Sequence, residues 1–131
     1  MEFDLSSGRK IEMIDITERI KSLVEKSGVK EGVCVIYVPH ATAAIVVNEN
    51  EPKLIKDFEK VLETMLKGRK YEHEGEYGNT VAHIWSCLLG PEKTIIVENG
   101  KLKLGTWQRI FFCELDGPRD YRKVKIKIVE G

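Results

Sequence analysis

"VCVIYVPHATAAIVVN", residues 33–48, decides the fold class. Residues 33–38 are apolar at every position, the pattern of a strand covered on both faces. Pro39 ends that run, His40 follows directly, and residues 43–48, "AAIVVN", read as a second strand of the same kind. His40 therefore stands at a strand end, where loops commonly carry sites. Pairing of the two strands as a hairpin is left open, so Asn48 and Glu49 at the far end of the second need not lie beside His40.

Upstream, "FDLSS" and "KIEMI" read as short strands joined by a turn at Ser7 and Gly8. Asp15 and Glu18 stand in capping-box spacing before a helix whose Ile16, Ile20, Leu23 and Val24 share one face, and Ser27-Gly28 ends it. Downstream, a helix is predicted from about Pro52 to Lys67, with Leu54, Ile55, Phe58, Val61, Leu62, Met65 and Leu66 as one stripe and Gly68 as the stop. "RKYEHEGEYGN" is a polar loop, and Asn79 reads as the N-cap of a third helix ending before Gly90-Pro91. The remainder is β: "TIIV" and "KLKLG" flank Asn99-Gly100, a type I′ hairpin signal, and "TWQRIFFCEL" is a long strand. In "KVKIKIV" the alternation turns Val124, Ile126 and Ile128 inward. With no repeat or linker, residues 1–131 form a single α+β domain: a folded, largely antiparallel or mixed β-sheet with two to three helices packed beside it.

Composition narrows the function classes. An apolar content of 42% and a charged content of 32% describe a globular chain. No apolar run reaches the roughly 20 residues that cross a bilayer, and "MEFDLSSGRK" lacks signal-peptide character. Three widely spaced cysteines without a CxxC pair fit a reducing compartment, so a cytoplasmic location and no membrane partner are expected. The net charge is zero, with 12 acids and 9 bases in residues 1–66 and 9 acids and 12 bases in residues 67–131. That balance argues against a nucleic-acid partner, which needs a clustered basic patch.

Three histidines remain: His40, His73 and His83. On a helical wheel Val81, Ile84, Trp85, Leu88 and Leu89 gather on one side, while His83 and Cys87 fall opposite. His83 is thus expected to face solvent, a pocket or another subunit. Imidazole ligates zinc-like metals or moves protons near neutral pH. The plainer readings are an exposed His73 and a hydrogen-bonded turn histidine at His40. Asp57 beside its helical stripe can be a solvated carboxylate, Gln108 a sheet-edge cap, and Arg119 in "GPR" either a phosphate contact or half of a surface ion pair.

Taken in order, "HATAAIVVNENE", "YEHEGEYGNTVAHIWSCLLGP", "LGTWQRIFFCELDGPR" and "VKIKIVEG" resemble the YjbQ family over essentially the whole chain, some of whose members are described as secondary thiamine-phosphate synthases. The resemblance implies a homotrimer acting on a small phosphorylated metabolite. It implies His40, His73 and His83 as metal ligands, with His40, His83, Glu49 and Asp57 as catalytic groups. Asn48, Asn79, Gln108 and Arg119 become substrate contacts. Ala41 stands where the family pattern has Thr or Ser, with Thr42 kept, and an acid usual after the Asn-Glu pair is displaced, with Glu51 as its nearest substitute. The implied condensation joins a pyrimidine pyrophosphate to a thiazole phosphate, which calls for a cationic cradle and Mg²⁺. A three-histidine site suits zinc, nickel or cobalt better. The rival expectations are a metal-assisted hydrolase and a non-catalytic metal- or metabolite-binding trimer.

Overall fold

The structure, a computed structural model, describes residues 1–73 and 78–131; the middle of the expected polar loop, residues 74–77, lies outside the described residues. Strands β1 (Glu2–Ser7) and β2 (Glu12–Asp15) precede helix α1 (Thr17–Ser27). Then come β3 (Gly32–Tyr37), β4 (Ala43–Asn48), α2 (Pro52–Thr64), α3 (Thr80–Leu89), β5 (Glu92–Glu98), β6 (Lys101–Leu102), β7 (Arg109–Glu114) and β8 (Arg119–Glu130). Two sheets result, a five-stranded one in the order β1-β8-β3-β5-β6 and a three-stranded one in the order β2-β7-β4. Their pairings are antiparallel.

The two apolar strands do not form a hairpin. β3 pairs with β5 and β8, whereas β4 pairs with β7 in the other sheet. Alternation along β4 explains its unbroken apolar run. Ala43, Ile45 and Val47 face a core shared with the five-stranded sheet and α1, while Ala44 and Val46 face a second core under α2 and α3. The three-stranded sheet is thus a middle layer, covered on both sides. β3 is covered on one side only: Cys34 and Ile36 are buried, but Tyr37 is 42% exposed. In register across Val33, Ile96 and Val129 are exposed too. An apolar run therefore marked a doubly covered strand at β4 and misread one at β3.

Each helix departs from its expected detail. In α1, Ile16, Ile20 and Val24 are buried as the pattern predicts, and Gly28 closes the helix in the left-handed conformation (φ 74°). The capping box does not form: Asp15 accepts the Thr17 backbone N–H rather than that of Glu18, and Arg109 joins the two carboxylates, Nε donating to Asp15 at 2.8 Å and Nη1 to Glu18 at 3.2 Å. α2 stops at Thr64, and Glu51 caps it by accepting from the backbone of Lys53 and Leu54. Of its apolar stripe only Leu62 is buried, and Met65 is 65% exposed. α3 seats Thr80, Ala82, Trp85 and Ser86 against the sheet and leaves Leu88 exposed. Close approach to β4 selects the small residues: Ser86 Oγ donates to the Ala43 carbonyl at 2.7 Å. The β5–β6 turn is as predicted, with Asn99 and Gly100 at φ 53° and 77°. No helix among the described residues is long and apolar enough to cross a membrane.

Candidate functional site

Asn79 occupies the N-cap position of α3, yet its side chain does not cap the helix. Its Oδ1 instead meets His73 Nε2 at 3.2 Å, and its Nδ2 donates to Asp116 Oδ2 at 3.3 Å. His83 stands one helical turn on, its backbone N–H donating to the Asn79 carbonyl. The i,i+4 spacing brings the His83 ring against His73, edge to face, with centroids 5.1 Å apart and planes at 87°. Two of the three histidines therefore converge. Asp116, which follows β7, collects Lys10 Nζ at 2.5 Å and Arg119 Nη2 at 3.0 Å. Burial would raise the Asp116 pKa, but Lys10, Asn79 and Arg119 together hold it below the usual carboxylate range. Two cations thus crowd one ionised carboxylate beside the imidazole pair.

Beneath this cluster lies an ion pair that sequence reading did not single out. Glu114 and Arg122 are both buried. Arg122 also donates through Nη2 to the Thr42 carbonyl and Oγ1, while Glu114 accepts from Ser7 Oγ and from the Asp116 backbone. One pair thereby fixes both the loop carrying His40 and the turn carrying Asp116 and Arg119. The only sequence signal was polar residues at inward positions: Arg122 precedes Val124 in the alternation of β8, and Glu114 closes an apolar run.

His40 lies beside that pair, its Nε2 accepting the Lys123 backbone N–H at 2.8 Å. That bond requires an unprotonated Nε2, so the neutral ring carries its proton on Nδ1. Burial and the Arg122 guanidinium push the His40 pKa down. Histidine at this position is the hydrogen-bonded turn histidine of the plainer reading, though electrostatically coupled to Arg119.

The remaining expected residues lie elsewhere. Asn48 accepts the Glu49 backbone N–H, and Glu49 shares a shallow cavity with Asp15, Asn50, Trp107 and Arg109. Gln108 is exposed, its Oε1 accepting from Gly105 N at 2.8 Å within its own turn. His40 and Asn48 flank opposite ends of β4, separated by roughly 20 Å of strand at about 3.3 Å per residue. Asp57 is exposed on α2, and its side chain makes no hydrogen bond or ion pair among the described residues. The expected constellation is therefore split: His73, His83, Asn79 and Arg119 gather at one end with His40 close by, whereas Asn48, Glu49 and Gln108 belong to the other.

The three-histidine metal site implied by resemblance does not fit one chain by itself. His73 Nε2 carries the proton it donates to Asn79 Oδ1, and the His40 Nε2 lone pair is committed to Lys123. Among the described residues no group of three or more His, Cys, Asp or Glu is placed to hold a metal. Next to the cluster, a cavity of about 370 Å³ opens, with Asn79 and Lys10 in its wall.

The whole chain, residues 1–131, matches the model of the family described as UPF0047 protein YjbQ-like. Among curated relatives, UPF0047 protein YugU of Bacillus subtilis is 42% identical over 119 residues, 88% of each chain. A UPF0047 protein of Methanothermobacter thermautotrophicus is 41% identical over 128 residues, covering 97% of this chain and 89% of the relative. A crystal structure of a YbjQ-like protein of unknown function from Sulfolobus solfataricus superposes with a TM-score of 0.96 at 40% identity, over 100% of this chain and 96% of the other. The Clostridium acetobutylicum orthologue of YugU gives 0.92 at 44% identity, over 98% and 99%. Sequence and fold agree along the full length, and the chain belongs to the YjbQ (UPF0047) family.

Proposed function

We propose that the chain is a cytoplasmic enzyme acting on small phosphorylated metabolites at the cluster of His73, His83, Asn79, Asp116 and Arg119. One observation carries the reading: two imidazoles in edge contact stand beside a carboxylate that two cations share. Imidazoles can pass a proton to a leaving oxygen. Arg119 spends Nε and Nη2 on Asp116, leaving guanidinium N–H donors for an anion. Lys10, held on Asp116, supplies a second positive charge. Asn79 positions His73, and His40, held neutral, borders the site.

Thiamine-phosphate synthase-like condensation is the reaction the family resemblance suggests assaying first. Asn48, Glu49 and Gln108 join this reading only if a second copy brings its opposite end to the histidines, as a homotrimer would; Asp57 would then be an accessory carboxylate. A divalent ion, zinc-like at His73 and His83 or Mg²⁺ with pyrophosphate, is an added component to be tested by elemental analysis, and no step above depends on it.

The test is calorimetric binding of inorganic pyrophosphate to wild type, Arg119→Gln and His83→Ala, followed by turnover assays on the same proteins. The Arg119 variant should weaken binding at least tenfold, while His83→Ala should spare binding and lower turnover. Equal pyrophosphate affinity in wild type and Arg119→Gln would remove the anion site from this end of the molecule.

A further inference from the structure

We propose that the cavity between α2 and the start of α3 holds the apolar body of a phosphate monoester, whose dianion sits at the cavity's cationic lip. The proposal rests on the anion-handling role given to the adjoining histidine cluster. It narrows the substrate class to esters of apolar alcohols and away from sugar phosphates.

The cavity, about 370 Å³, is within the range of small-molecule sites. Its buried side is formed by Leu62, Ala82, Trp85 and Leu115. The indole N–H of Trp85 is already spent on the Leu62 carbonyl at 2.9 Å, so this side chain presents only ring carbon to a ligand. Each sugar hydroxyl buried there without a partner would cost from about fivefold to about a hundredfold in affinity. An apolar ring or chain meets no such cost.

Around the mouth the chemistry reverses. Among the described lining residues Lys10, Lys67 and Arg69 meet one carboxylate, Glu63, and since Lys10 is already paired with Asp116, a surplus of one positive charge remains. The side chains of Lys67 and Arg69 make no hydrogen bond or ion pair among the described residues, so both charged heads are available to an anion. The segment bearing them is pinned from behind, since the Tyr71 hydroxyl donates to the Leu66 carbonyl at 2.6 Å. Asn79 belongs both to the cavity wall and to the histidine cluster, which places a phosphate at the lip next to the imidazoles.

Trp85 provides the readout. The chain has two tryptophans, and Trp107 is 71% exposed in the other, Glu49-containing region, so Trp107→Phe leaves Trp85 as the sole reporter. Phenyl phosphate should change Trp85 emission saturably, at least tenfold more tightly than glucose 6-phosphate, inorganic phosphate or benzoate. Adding Lys67→Gln with Arg69→Gln, both at exposed positions, should weaken phenyl phosphate at least tenfold without changing the melting temperature. Three results would overturn the proposal: no saturable response, equal affinity for glucose 6-phosphate or benzoate, or indifference to the lip substitutions. If Arg119-dependent pyrophosphate binding persists while Trp85 stays silent, the cavity proposal falls alone. If pyrophosphate binding is also absent, the reading of the histidine cluster falls with it.

Discussion

Arg122 Nε donates to Glu114 Oε1 at 2.9 Å in the interior, and Nη2 of the same guanidinium bonds both Glu114 Oε2 and Thr42. The two side chains are 3% and 0% exposed, so this is a desolvated pair with its remaining valences satisfied by Ser7 and the Asp116 backbone. Removing one partner strands the other charge. Arg122→Met should therefore cost about 3–5 kcal/mol in urea unfolding, and Arg122→Met combined with Glu114→Leu markedly less than two such losses. Full additivity would show that the pair does not act as a unit.

Asp15 carries the clearest pH signature. Burial opposes its ionisation, but hydrogen bonds from Arg109, Thr17 and Asn50 hold its pKa at about 2. A folded pKa below the unfolded value of about 3.9 contributes stability above that value and loses it as pH falls through 2. Asp15→Asn should lower the melting temperature at pH 7, with the gap to wild type closing between about pH 4 and pH 2. A gap independent of pH would mean that Asp15 contributes by shape alone.

For His40, nitrogen NMR should find the Nδ1–H tautomer and a midpoint below 6.5. Since the folded pKa is depressed, its contribution to stability is present above 6.5 and declines as pH falls toward the folded value. His40→Gln, which keeps an acceptor for Lys123, should flatten that part of the stability profile.

Gly117 has no room for a side chain. A Cβ there would lie 2.2 Å from the Arg9 carbonyl oxygen and 2.9 Å from Glu114 Cγ. Gly117→Ala should destabilise by about 1–3 kcal/mol or more and disturb the Asp116–Arg119 turn, visible as weakened pyrophosphate binding. Unchanged stability and binding would refute the close packing of this turn.

The thiols should separate cleanly under alkylation. Cys34 and Cys113 are buried, and desolvation pushes their pKa values up to about 11 and about 12, whereas Cys87 is exposed. Mass spectrometry of native protein treated with iodoacetamide at pH 7.5 should find label at Cys87 first, with the other two labelled only on unfolding.

Local patterning carried the elements. The 3.6-residue spacing of Ile16, Ile20 and Val24, the Asn99-Gly100 turn and the alternation of Val124 and Ile126 each depend on neighbours a few residues away, so they were legible in the chain. The spacing of four between Asn79 and His83 likewise set those two groups on one helical edge. Family resemblance implied a shared histidine site, and the structure brings His73 and His83 into contact.

What the sequence determined by itself was an α+β domain with its strands, turns and helical segments nearly in place. Tertiary structure decided which sheet each strand joined, which faces stayed exposed, and which polar groups met. Residues far apart in the chain set those outcomes. Arg109 joined Asp15 to Glu18, Lys123 took the His40 nitrogen, and Asp116 gathered Lys10, Asn79 and Arg119. Hydrogen bonds and ion pairs depend on distance in space, so no local periodicity encodes them.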